Sequence, residues 1–144
     1  MAPRFDHERL KVYEKALGFA IWVGPLIDRL PIKLSVRDQL DRSSTSIVLN
    51  LAEGNGKRGH ADRCRYFDTS RGSAVECAAC LDLLVARQKC VAEDVEPGKA
   101  MLLEIVSMLA GLISRFSADQ RTDRVREDSL ESADELDVVL REKD

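Results

Sequence analysis

The chain has 144 residues and is 44% apolar, which suits one domain around one core. Aromatic residues make up only 5%, so that core must come from Leu, Val, Ile and Ala, favouring packed helices over a β-sandwich. No uninterrupted apolar run reaches about 18 residues and the N-terminus lacks the apolar centre of a signal peptide, so a cytoplasmic protein without a membrane span is expected.

A first helix is predicted from Asp6, as N-cap, to Leu30. Its apolar stripe reads Leu10, Tyr13, Leu17, Ala20, Ile21, Gly24 and Ile27 at three- and four-residue steps. Pro25 should kink it and Pro31 should end it. The second helix should start near Ser35, with Val36, Leu40, Ser43, Ile47 and Leu51 turned inward, and stop at Gly54 as a left-handed C-terminal residue. Residues 55–59, Asn-Gly-Lys-Arg-Gly, read as a loop. The third helix is predicted from about His60 to Lys89, with Tyr66, Phe67, Ser70, Ser73, Ala74, Cys77, Leu81, Leu84 and Val85 inside and Gly72 at a close helix crossing. The fourth begins near Val95–Gly98 and runs to about Phe116 on Leu102, Ile105, Val106, Leu109, Leu112 and Ile113. Four long amphipathic segments with short connections predict an all-α, antiparallel up-down four-helix bundle over residues 1–116.

Residues 117–144 form a charge-rich tail in which Leu130, Ala133, Leu136, Val139 and Leu140 recur near helical spacing, predicting a segment partly helical or disordered. Charge divides at the same boundary. Residues 1–116 carry 17 Lys+Arg against 15 Asp+Glu, a net +2, and residues 117–144 carry 5 against 10, a net −5. The overall charge of −3 is therefore a mildly basic body joined to an acidic tail that could shield it.

Three groups of residues invite a chemical reading. Cys64, Cys77, Cys80 and Cys90 include one Cys-x-x-Cys pair, but His7 and His60 supply no second pair for zinc. Cys77 and Cys80 sit among small residues and read as packing groups, with no metal and no cofactor expected. Ser46, Asn50 and Glu53 fall on one helix face at i, i+4 and i+7, and Ser73 and Glu76 at i, i+3, so a structural polar seam between two helices is expected. Lys57, Arg58, Arg63, Arg65 and Arg71 outnumber the nearby acids, with Tyr66 and Phe67 among them. They read as a solvated face or as a surface that neutralises phosphates. Two histidines, no Glu-x-x-His and no phosphate-loop ending give no catalytic constellation, so no enzyme is expected.

The order Gln39-Leu40-Asp41-Arg42, Ser46 to Gly54, Lys57-Arg58, Phe67 and Gly72 to Glu76 resembles the bacterial four-helix-bundle family of the 23S rRNA intervening-sequence proteins. It is similar also to the accessory variability-determinant proteins of diversity-generating retroelements. The resemblance covers roughly residues 5–116. Val48 stands where relatives often have Pro, and the acidic tail lies outside it. It implies a homopentamer with a central pore, and RNA or DNA binding alongside a reverse transcriptase or another protein partner. Trp22, Val23, Leu26, Leu49 and Leu83, apolar but off the main stripes, suit subunit contacts. The alternative is a structural or protein-interaction module without nucleic-acid affinity.

Overall fold

A computed structural model describes residues 2–141, and helices are the only regular elements among them. A 3-10 turn over Asp6–Arg9 leads into α1 (Lys11–Arg29), followed by α2 (Ser35–Asn55), α3 (His60–Ala86) and α4 (Ala92–Arg141). Each helix packs on its neighbours in sequence, and α4 closes against α1. With short connections at 30–34, 56–59 and 87–91, this is the expected four-helix bundle.

The core is aliphatic, as the composition requires. Phe19, Leu40, Ile47, Leu51, Phe67, Leu81, Leu84, Leu102, Ile105 and Leu109 are all fully enclosed, each contributing about 1.5–3 kcal/mol by leaving water. The inward stripe of α2 is as expected: Val36, Leu40, Ser43, Ile47 and Leu51 are buried. On α3, Phe67, Ser70, Ser73, Ala74, Cys77, Leu81 and Leu84 are buried as expected, Cys80 joins them, and Tyr66 and Val85 are half-buried.

The stripe expected on α1 is corrected. Val12, Ala16, Phe19, Val23, Leu26 and Ile27 face the core, while Leu17 is 40% and Ile21 77% exposed. The segment from Ala16 to Val23 is apolar almost all round, so two stripes of helical spacing coexist, and contact with the other helices selects one. Asp6 does not cap α1 either. It begins the 3-10 turn, and its Oδ2 accepts from Asn55 Nδ2 at 2.8 Å, tying the N-terminal turn to the end of α2. The helix runs through Pro25 to Arg29, and the Ile27 carbonyl accepts from both the Leu30 amide at 3.1 Å and Arg37 Nε at 2.9 Å, which ties the end of α1 to the first turn of α2.

Gly54 is no left-handed stop. It lies within α2, where a Cβ would meet Tyr66 Cβ at 2.8 Å and the Phe67 ring at 3.1 Å, so its role is to let α3 approach. Gly98 serves the same purpose on α4, where a Cβ would run into the Trp22 ring of α1. Gly72, expected at a close crossing, has open space beside it instead. The one non-glycine residue with positive φ among those described is Gln88 (φ 59). There the chain leaves α3, and the Lys89 amide donates to the Leu84 carbonyl at 2.8 Å.

The fourth helix begins before Val95 and does not stop at Phe116; α4 continues unbroken to Arg141. Within Ala92–Ser132 one 18-residue window reaches a hydropathy of 1.5, so by length and composition alone α4 could cross a membrane, a property the expectation of no such segment overlooked. Its Leu102, Ile105 and Leu109 are enclosed by the bundle, as in the core helix of a globular domain. Past Ser117 every side chain described is exposed, including Val125 at 64% and Leu130 at 67%. Ala133, Leu136, Val139 and Leu140 of the tail stripe lie outside the residues whose side chains are described.

Candidate nucleic-acid interface and polar seam

The polar seam forms along the α2–α3 contact. Ser46 Oγ and Ser73 Oγ share a hydrogen bond of 2.7 Å. Asn50 Nδ2 donates to both the carbonyl and the hydroxyl of Ser46, each at 2.9 Å. Deeper in, Ser70 Oγ donates to the Ile47 carbonyl at 2.7 Å. Such bonds contribute about 0.5–1.5 kcal/mol each and fix which turns of the two helices face one another.

The two acids stand outside this network. Glu76 is exposed and accepts from Gln39 Nε2. Glu53 is exposed and pairs with Lys57 Nζ at 3.8 Å. The expectation that Glu53 and Glu76 belong to the seam is thus corrected. Ile47 and Leu51 occupy the inward face of α2, and the Ser46–Asn50–Glu53 face lies at the rim of the helix contact. Arg42 pairs with neither acid but with Asp38, at 3.2 Å.

Lys57, Arg63 and Arg65 gather where the loop after α2, the start of α3 and the last packed turn of α4 meet, whereas Arg71 lies about three turns into α3 and outside this group. Two aromatic rings organise them. Lys57 Nζ lies over the Tyr66 ring at 5.1 Å and Arg65 Cζ at 5.4 Å. Arg63 Cζ lies over the Phe116 ring at 5.1 Å and Arg115 Cζ at 5.4 Å. His60 also meets Phe116, with ring centroids 5.3 Å apart. Arg63 Nε donates to the Lys57 carbonyl at 2.7 Å, which fastens the loop to α3. Arg65 pairs with Asp62 at 3.3 Å. Arg58 and Arg71 are exposed and form no ion pair among the described residues.

Sequence reasoning missed Arg115 and the part played by Phe116. The two are adjacent at the end of the α4 stripe, but only the fold brings them to residues 57–66. Elsewhere at this junction, Cys64 Sγ contacts the Ile113 carbonyl and the Ser117 hydroxyl, each at 3.7 Å.

Cys77 and Cys80 are buried free thiols. Burial first, then Cys80 and Glu76, push the Cys77 thiol up to about 12, so it stays protonated and inert at neutral pH. Burial and Glu76 also raise Cys80. Among the described residues no group of three His, Cys, Asp or Glu side chains is placed to hold a metal ion. An apolar groove of about 450 Å³ runs along the α3–α4 face, lined by Val75, Ala78, Leu103 and Val106, with Lys99 and Glu96 at its edge.

Comparison with known proteins adds to this geometry. The family model described as 23S rRNA-intervening sequence protein matches residues 8–111. Among solved structures, the chain is similar to a crystal structure of a protein of unknown function from the S23 ribosomal protein family of Bacteroides thetaiotaomicron VPI-5482. The two share 27% identity at a TM-score of 0.67, over 71% of this chain and 97% of the other. No curated protein matches the chain. The family match ends at residue 111, well before α4 does at Arg141.

Proposed function

The chain belongs to the family of 23S rRNA-intervening sequence proteins, and on that footing we propose that it is a non-enzymatic, self-assembling bundle that binds nucleic acid through its basic end. The observation that carries this reading is the gathering of Lys57 and Arg65 at Tyr66 and of Arg63 and Arg115 at Phe116, the two groups joined by the Arg63–Lys57 hydrogen bond. Arg58 adds an exposed cation from the same loop. Such a cluster neutralises phosphates with little regard for sequence. The two histidines are engaged in ring contacts, His7 with Phe5 and Tyr13 and His60 with Phe116, which supports a binding role over a catalytic one. The test is a titration of RNA and DNA against salt. Joint reversal of Lys57, Arg58 and Arg63 to Glu should weaken binding by a similar factor on every sequence. Undiminished binding would sink the proposal.

The assembly we propose is the closed homopentamer implied by the family resemblance. Of the residues expected at subunit contacts, Leu49 and Leu83 are exposed and support it, whereas Val23 and Leu26 are buried in the subunit's own core and Trp22 is half-buried; exposed Leu17 and Ile21 add to the support, as does Gly72, which breaks helix propensity without relieving any contact within the subunit. Light scattering on dilute protein decides this; a mass near the chain's 16.1 kDa would refute it. A second reading, a protein-interaction module without nucleic-acid affinity, is favoured by the α3–α4 groove, where Val75 is 53% and Leu103 69% exposed.

A further inference from the structure

We infer that Tyr66 and Phe116 are mounts for cations, and that the basic end therefore takes the sugar–phosphate backbone of a nucleic acid and stacks none of its bases. This rests on the nucleic-acid reading above and names what that surface recognises. Proteins that grip single strands through bases offer aromatic faces on which those bases lie. Here both rings already carry charged groups. Tyr66 holds Lys57 and Arg65, and Phe116 holds Arg63 and Arg115. A base stacking on either ring would compete with cations that the phosphates also need. The remaining contacts of Phe116, with His60 and with Phe67 at 6.0 Å between centroids, are internal to the protein.

The arrangement also explains why arginines distant in sequence share one surface. Phe116 is the last aromatic side chain of the packed part of α4. It supports Arg63, and Arg63 in turn holds the carbonyl of Lys57. The ring thereby connects the end of α4 to the loop that carries Lys57 and Arg58. A guanidinium held over a ring has already lost part of its rotamer freedom, so less is forfeited when it meets a phosphate. Phe116 and Tyr66 are in this sense positioning residues: they set where charge stands and need not touch the ligand.

The test uses full-length protein and two single strands of equal length, one carrying 2-aminopurine within ordinary bases and one abasic over its central stretch. The expected result is similar affinity for both strands, unchanged aminopurine fluorescence and a steep salt dependence. Phe116→Leu keeps every charge and should weaken binding about two- to fivefold for each cation released; Phe116→Tyr should restore it. Because Phe116 also packs on Phe67, each variant's thermal melt is recorded, and the tyrosine rescue separates lost positioning from lost folding. Tighter binding of the base-bearing strand with quenched fluorescence would overturn the inference, since the rings would then be stacking bases. Native affinity in a folded Phe116→Leu protein would also overturn it while leaving the nucleic-acid reading intact. No binding of either strand by the native protein at low salt would instead remove the nucleic-acid reading itself.

Discussion

The two parts of α4 are one helix in backbone and two different objects in energetics. From Val95 to Leu109 its inward side chains are enclosed by the bundle; from Ala118 to Ser132 every described side chain faces water. Side-chain hydrogen bonds in the second part run within the helix itself, as when Ser129 Oγ donates to the Val125 carbonyl at 2.8 Å and Ser132 Oγ to the Asp128 carbonyl at 2.9 Å. Helical spacing of apolar residues is thus a statement about local conformation. Burial requires a partner surface, and the other three helices supply one only as far as Phe116 and Ser117.

The sharpest way to break this comparison is to remove matching side chains from both parts. Leu109→Ala should lower stability by about 2–5 kcal/mol, since it opens a cavity in the core. Leu130→Ala should change it by no more than about 0.5 kcal/mol. Urea unfolding of the two variants measures both, and a large loss at Leu130 would show that the extension packs against another surface. The glycines of α4 give a smaller contrast of opposite signs. Gly98→Ala would press a methyl into the Trp22 ring and should cost about 1–3 kcal/mol. Gly111→Ala enters open space and should stabilise by about 1 kcal/mol through helix propensity. Thermal melts read both, and destabilisation at Gly111 would mean that another subunit covers that face. The smallest effect on stability should come from deleting residues 117–144. The unfolding midpoint should barely move, while the subunit's charge passes from −3 to +2. Nucleic-acid binding should tighten at low salt and converge with that of the full chain as salt approaches about 0.15 M.

How much of this was legible beforehand depended on how one-sided each helix is. The α2 stripe alternates apolar and polar residues cleanly, so its buried set reads directly from the sequence. α1 carries apolar residues on nearly every face, and its periodicity cannot say whether Phe19 or Ile21 turns inward. Gly54 followed by Asn55 and Gly56 looks like a helix stop, but the constraint on it comes from Tyr66 and Phe67 on the next helix. The seam residues Ser46, Asn50 and Ser73 were identifiable because polar side chains at helical spacing need partners. The exposure of Glu53 and Glu76 was not, because it depends on a small rotation of α2 against α3. Arg115 escaped notice because its neighbours over Phe116 come from the start of α3, more than a third of the chain away.

The unbroken course of α4 also turns the acidic tail into a gauge of ionic strength. A helix advances roughly 1.5 Å per residue. Asp119 and Asp123 therefore stand within about 11 Å of Phe116 along the axis, whereas Glu131 stands more than about 20 Å away. At a screening length of about 8 Å, near 0.15 M salt, the basic end feels little beyond the first two turns of the extension. At about 30 Å, near 0.01 M, it feels the acids as far as Glu131. A helix that leads away from the arginines lets the salt concentration decide how many of its charges they feel.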